Sequence, residues 1–371
     1  MKYYIIAGEA SGDLHGSNLM KALLKEDAKA EFRFWGGDLM QAVGGELVVH
    51  YKERSFMGFA EVLMNLRKIS GLISFCKKDI TTFNPDVVIF IDNSGFNLPI
   101  AKWAKSQNYR TNYYISPQVW ASRASRVQKI KRDIDEMFVI LPFEKEFYAK
   151  YQYKVNFVGH PLIDAIQQTD FENEEDFKAI HKLSNKPIIA LLPGSRKQEI
   201  KKMLDVMLSV IDEFKDYQFV IAGAPSQDLS FYQSFLKENQ VAIVQNKTYN
   251  LLKIATAALV TSGTATLETA LFKVPQVVCY KANWLSYQIA KRIITLKFIS
   301  LVNLIMNKEI VKELIQNDLN TNQLKKELGI ILDSKHRETM IENYNQLEKK
   351  LGGAGASEKT AQLIYKGLND T

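Results

Sequence analysis

Tyr3-Tyr4-Ile5-Ile6-Ala7-Gly8-Glu9-Ala10-Ser11-Gly12-Asp13 is the stretch on which the fold turns. Five apolar residues read as a strand, and small residues with two carboxylates, Glu9 and Asp13, form the turn after it. A segment with helical spacing of apolar residues follows. The same order recurs. Glu31–Trp35, Val87–Ile91, Tyr113–Ser116, Phe138–Leu141 and Val155–Val158 read as strands, and most are separated by helical patterns. Strands alternating with helices predict βαβ units in a mainly parallel, doubly wound sheet. After a charged stretch from Pro161 to Lys186, read as surface helix and crossing, the alternation restarts at Pro187–Leu192. It continues through Phe219–Ala222, Ala258–Thr261 and Gln276–Cys279. Beyond Trp284 the pattern reads as wholly helical. Gly352–Ala356 reads as a flexible break, with Ser357 as the N-cap of a last helix.

These patterns divide the chain into a Rossmann-like domain over 1–165, a second over 186–350 and a C-terminal helix over 351–371. At 371 residues, two domains agree with roughly 150 residues per domain. With 46% hydrophobic and 24% charged residues the composition is that of a globular protein. Cys76 and Cys279 lie apart in apolar segments, which suggests neither a disulfide framework nor a zinc site. The apolar run at the N-terminus is too short for a signal peptide, and no uncharged apolar run reaches membrane-spanning length. A cytoplasmic location is expected. The net charge of +7 favours anionic partners. No nucleic-acid module signature is present, so nucleic acid is not an expected partner.

In open α/β sheets ligands bind beyond the carboxyl ends of the strands. Glu9, Ser11 and Asp13 occupy the first such turn. Asp92 follows Val87–Ile91, where partial burial would raise its pKa and suit it to proton abstraction; capping of the next helix is an equal reading. Trp120, beside Arg123, Arg126, Lys129 and Lys131, reads as a sugar or anion platform or as a core aromatic. His160 ends the first half and reads as a cleft residue without an assigned role. In the second half Arg196 is placed to hold diphosphate oxygens. The turn Ser262-Gly263-Thr264 opens a helix whose free N–H groups form an anion site, and Glu268, one turn in, is placed to accept ribose hydroxyls. Asp133 and Asp135 match a DxD metal pattern but precede a strand, so an exposed helix end is the better reading. Neither a metal nor a cofactor is expected. Over 58–83 one apolar stripe faces a core, while Met64 and Phe75 fall on the opposite face near lysines. With Phe56 and Met57 they suggest a patch for an anionic membrane, or burial under a neighbouring helix.

Gly8–Asp13 (GEASGD), Phe96-Asn97, Ser116-Pro117 with Val119-Trp120-Ala121, Leu141–Glu144 (LPFE), Val158–His160, Leu191–Arg196 (LLPGSR), Ser262–Glu268 (SGTATLE), Asn303-Leu304 and Glu309–Leu314 together resemble lipid-A-disaccharide synthase, an inverting glycosyltransferase of the GT-B class. The GEASGD start makes the resemblance specific. It implies two facing Rossmann-like doubly wound domains around an interdomain cleft, the acceptor on the N-terminal one and the nucleotide on the C-terminal one. It further implies UDP-2,3-diacylglucosamine as donor and 2,3-diacylglucosamine 1-phosphate as acceptor, joined β-1,6 with release of UDP and without a metal. Glu268 and Asn303 would bind the donor, Asp92 and Glu9 would share catalysis, and Ser11, Asp13, Asn97, Trp120 and His160 would line the acceptor side. The lipid substrates imply peripheral attachment to the inner membrane, and a homodimer is compatible with the family. Two positions depart from it: Gly95 stands where the family carries a second Asp, and Ser122 where relatives carry a second Trp. A UDP-N-acetylglucosamine 2-epimerase shares the two-domain pattern. A degenerate transferase that binds UDP without turnover is the other alternative, given Gly95.

Overall fold

The computed structural model describes residues 1–54, 66–122, 124–236, 241–283 and 296–370. The chain forms two compact units, Met1–Ala165 with Leu351–Thr371, and Ile166–Lys350. In the first, β1 (Lys2–Ala7), β2 (Glu31–Gly36), β3 (Glu46–His50), β4 (Val87–Ile91), β5 (Arg110–Tyr114), β6 (Glu136–Val139) and β7 (Asn156–Phe157) form a parallel sheet in the order β3-β2-β1-β4-β5-β6-β7. In the second, β8 (Ile188–Leu192), β9 (Gln218–Gly223), β10 (Ala242–Gln245), β11 (Ala255–Thr261), β12 (Gln276–Tyr280) and β13 (Lys312–Ile315) follow the order β10-β9-β8-β11-β12-β13.

Each order reverses direction once, between β1 and β4 and between β8 and β11. At a reversal the crossover helices leave to opposite faces, and a crevice opens beyond the strand ends. Ala7 pairs with Ile91 at one switch point, and Leu192 with Val260 at the other. The functional turns read from the sequence therefore emerge at the switch point of each sheet.

The unbroken apolar strands are buried on both faces, as parallel sheets require. Tyr4, Ile6, Val88 and Phe90 pack one side of the first sheet with Trp35, Cys76, Ile80 and Ile100. Tyr3, Ile5, Val87 and Ile89 pack the other with Leu19, Leu23, Ala361 and Ile364. The last two belong to the terminal helix Ala356–Asn369, so the chain returns to the first unit to complete its core. Lys25 meets Glu358 at 2.5 Å along this packing.

Several local expectations are corrected. β3, β10 and β13 are additional strands. Each is a partly exposed edge strand: β3 and β13 have short apolar runs flanked by charged or polar residues, and the run Val241–Val244 at β10 went unread. The region after Trp284 is thus not wholly helical, because β13 pairs with β12 through Leu314 and Cys279. Pro161–Ala165 is buried rather than a surface helix. Asp164 there accepts from the amides of Gly355 at 2.6 Å and Ser357 at 3.1 Å, capping the last helix in place of Ser357. The glycine-rich stretch is a defined turn: Gly352, Gly353 and Gly355 all have positive φ, which glycine adopts at little cost.

A buried polar network pins the helix Leu66–Phe83 to the sheet. Asp79 accepts from Arg33 Nε at 2.9 Å and Nη2 at 2.7 Å, and from Tyr4 Oη at 2.7 Å; Trp35 Nε1 donates to Tyr4 Oη at 2.8 Å. Glu46 also pairs with Arg33, so the guanidinium keeps one partner if Asp79 is neutralised. Asp79→Asn is expected to destabilise the first unit by about 2 kcal/mol in urea unfolding. An unchanged midpoint would mean that the network contributes specificity and no stability.

Candidate functional site

The switch point of the first unit is formed by Gly8 and Glu9 after β1 and by Asp92 and Asn93 after β4. A Cβ on Gly8 would lie 1.8 Å from Asn93 Nδ2, so a side chain at this position would have to displace that of Asn93. Asp92 and Asn93 are both left-handed, with φ of 44° and 43°. Such a pair is uncommon for non-glycine residues and persists where surroundings over-determine it. Here Asn97 Nδ2 reaches the carbonyls of Asp92 at 2.8 Å and Ile91 at 3.1 Å, and Tyr113 Oη also donates to Asp92 O. Ile115, after β5, adds a β-branched residue at φ 65°, a further strained position at the same strand ends.

These bonds fix the Asp92 backbone and leave its carboxylate exposed to solvent on one side. Surrounding protein raises its pKa above the ordinary carboxylate value, the Glu9 charge raises it further, and the Asn93 amide opposes both. Glu9 is exposed at the N-cap of the helix Ala10–Glu26, with Ser11 exposed in its first turn. A Cβ at Gly95 would meet nothing within 4 Å, so the space beside this turn is open.

Other residues singled out in the first unit have structural tasks. Asp13 is buried, and its carboxylate accepts from the amides of Gly37 at 2.8 Å, Leu39 at 3.0 Å and Met40 at 3.0 Å, capping the helix Asp38–Val43. Asn97 is the clamp just described. His160 is buried, and its Nδ1 accepts from Leu162 N at 3.2 Å. Burial and the nearby His15 hold it neutral, with its pKa pushed down to about 3. Trp120 is half-buried and edge-on to Phe143 at 4.9 Å. Asp133 is paired with Arg132, and Asp135 with Lys105 and Thr111. Phe75 is 48% exposed, its ring 6.0 Å from Trp35. Phe56, Met57 and Met64 lie outside the described residues. Among the described residues no helix is long and apolar enough to cross a membrane. A cavity of about 630 Å³ lies at the opposite, amino edge of this sheet, beside Met1, Asp86 and Arg110; of the residues singled out from the sequence it holds Asp135, which is already paired with Lys105.

In the second unit three strand ends are tied together by hydrogen bonds. Ser195 O accepts from Gln227 Nε2 at 2.9 Å, and Gln227 O from Gln245 Nε2 at 2.9 Å, joining the loops after β8, β9 and β10. Gly194, at φ 109°, lies close to the end of β11, where a Cβ would come within 3.3 Å of Thr261 Cγ2. Arg196 projects from this edge with 75% of its side chain exposed, held lightly by Glu199 at 3.2 Å. Gly263, at φ 147°, starts the helix Thr264–Leu271 with open space about its Cα, and Thr264 is exposed. Ser262 Oγ donates to Ile299 O at 3.0 Å. Glu268 accepts from Tyr249 Oη at 3.0 Å, and burial raises its pKa. Asn303 is fully buried and spends its amide on the protein: Oδ1 accepts from Ile310 and Val311, and Nδ2 donates to Val311 O and Glu313. Glu313 in turn accepts from the amides of Ile299 and Ser300. Asn303 therefore holds the segment on which Ser262 is anchored.

Glu144 was not singled out from the sequence as a charged centre. It is 1% exposed and accepts from the amides of Leu141 at 2.9 Å and Ile140 at 3.2 Å. The signal was present in LPFE, where Pro142 opens a helix and Glu144 is positioned to reach back to its start. Burial pushes its pKa up to about 7, against the opposing effects of Leu141, Ser116, Ile140 and Trp120. Near pH 4 both folded and unfolded chains are protonated there. As pH rises toward 7 the unfolded chain ionises first, so this group makes stability fall. Glu144→Gln removes that dependence, so its advantage over wild type is expected to grow from about 1 kcal/mol at pH 5 to roughly 3 kcal/mol at pH 8. Equal pH dependence in urea unfolding of both proteins would show that Glu144 ionises freely.

Residues 3–366 match the family model described as lipid-A-disaccharide synthetase. The chain is 37% identical over 371 residues to the lipid-A-disaccharide synthase of Geobacter metallireducens, covering 98% of this chain and 96% of that one. It is 38% identical to the lipid-A-disaccharide synthase of Syntrophus aciditrophicus, covering 97% and 96%. Among solved structures it is similar in fold to the UDP-GlcNAc 2-epimerase of Neisseria meningitidis bound to UDP-GlcNAc, with a TM-score of 0.68, 14% identity and full coverage of both chains. The likeness in sequence extends over nearly the whole chain, and the chain belongs to the lipid-A-disaccharide synthetase family.

Proposed function

We propose that the chain transfers diacylglucosamine from UDP-2,3-diacylglucosamine to the 6-hydroxyl of 2,3-diacylglucosamine 1-phosphate, forming a β-1,6 bond and releasing UDP. The observation that carries this reading is the full-length likeness to synthases at 37–38% identity. The likeness to the epimerase, at 14% identity, is one of fold and supports the architecture alone.

Asp92 serves as the base in this reading. The 6-hydroxyl gives its proton to the Asp92 carboxylate while its oxygen bonds to the anomeric carbon. The bond from that carbon to the diphosphate breaks on the opposite face, which inverts the centre. A carboxylate with a raised pKa is matched to this transfer. Glu9 keeps the local potential negative and is the rival base. Arg196 and the helix start at Gly263, with Ser262 and Thr264, stabilise charge developing on the departing diphosphate. Glu268 accepts ribose hydroxyls. Asn303, Asp13 and Asn97 act by holding the loops that carry these groups, and Ser11, Trp120 and His160 border the acceptor side. Peripheral membrane association belongs to the same proposal: both substrates carry acyl chains, and exposed Phe75 offers apolar surface to a bilayer.

The test is an assay of the purified protein with both lipid substrates, following UDP and disaccharide; no disaccharide would overturn the reading. Asp92→Asn is expected to lower turnover ~10²–10⁴-fold, with UDP affinity unchanged. Near-normal turnover in Asp92→Asn, with loss in Glu9→Gln, would move the base to Glu9.

A further inference from the structure

Tyr249 lies in the helix Thr248–Ile254, beyond the carboxyl end of β10, and its hydroxyl donates to Glu268 Oε1 at 3.0 Å. Its ring is held 5.3 Å from Phe272, which is edge-on to Phe171 at 6.0 Å, with Lys253 Nζ 4.6 Å above Phe171. The hydroxyl is thus delivered by a ring with its own support. Among the described residues Glu268 accepts no other hydrogen bond, so Oε2 remains as an acceptor. A glutamate in the first turns of a helix has several side-chain torsions to fix before it can receive a ligand, and that ordering weakens binding unless the protein supplies it beforehand.

We propose that Tyr249 is a positioning residue for nucleotide recognition: it fixes one oxygen of Glu268 so that the other meets the ribose hydroxyls of a uridine diphosphate group. The inference rests on the donor-site reading of Glu268. Burial and the Glu268 charge both raise the phenol's pKa, so it stays a donor wherever the enzyme works. On the carboxylate the same hydrogen bond opposes the effect of burial and favours the charged form, the stronger acceptor.

The test is calorimetric titration of wild type, Tyr249→Phe and Glu268→Gln with UDP and with 2′-deoxy-UDP. Tyr249→Phe keeps the ring and its packing and removes only the hydroxyl. Wild type is expected to prefer UDP by about tenfold or more. Both variants should lower that preference at least ~threefold, with 2′-deoxy-UDP affinity little changed in Tyr249→Phe. A purely structural role would weaken both ligands equally and leave the ratio intact, which overturns the proposal. A lowered ratio in Glu268→Gln alone also overturns it, while the ribose reading of Glu268 stands. An unchanged ratio in both variants overturns that reading itself. Should Tyr249→Phe fold poorly, Phe272→Leu loosens the ring and keeps the hydroxyl. The same fall in ratio is then expected, and an unchanged ratio counts against the proposal.

Discussion

The close approach of Gly8 to Asn93 sets the geometry of the first unit's functional edge. β1 and β4 are neighbours at the point where the strand order reverses, and the turn after β4 lays its Asn93 side chain over Gly8, in space that a side chain at position 8 would need. The turn after β4 meets this constraint by taking two successive left-handed residues. Each such conformation costs on the order of 1–3 kcal/mol, and hydrogen bonds from Asn97 and Tyr113 to the Asp92 carbonyl hold it in place. The result is a carboxylate on a rigid backbone, open to solvent on one side and crowded on the others. That environment, more than the residue type, gives Asp92 its raised pKa.

The second unit uses the same topological device with opposite electrostatics. Its switch point presents a guanidinium and the start of a helix, whereas that of the first presents Glu9 and Asp92. One edge is suited to accepting a proton and the other to accepting negative charge. A sugar transfer from a nucleotide requires both. The supporting groups also follow one pattern: Asn97 in the first unit and Asn303 in the second are fully buried and bind strand-end backbone.

The interior strands and the turns after them were legible because an apolar run ending in small residues has few alternatives in a buried parallel sheet. The edge strands β3 and β13 were not, since their apolar runs are short and flanked by charged or polar residues; β10 was missed although Val241–Val244 is an apolar run. Asp13 and Asn303 show the limit for side chains. A polar residue has the same sequence appearance whether it faces a ligand or binds the backbone of a neighbouring segment. Only the positions of the Gly37–Met40 and Ile310–Val311 amides distinguish the two. Glu144 was legible as a helix-start residue, yet its raised pKa comes from burial, which the local sequence pattern does not reveal. The pairing of Tyr249 with Glu268 was hidden for the same reason.

If the Gly8 constraint governs catalysis, the most direct measurement is turnover of Gly8→Ala with UDP affinity determined alongside. The added methyl group would displace the Asn93 side chain and so disturb the turn that carries Asp92. Turnover is expected to fall about 10–100-fold, with UDP binding unchanged. Wild-type turnover in Gly8→Ala would contradict the claim that this close approach positions the catalytic carboxylate.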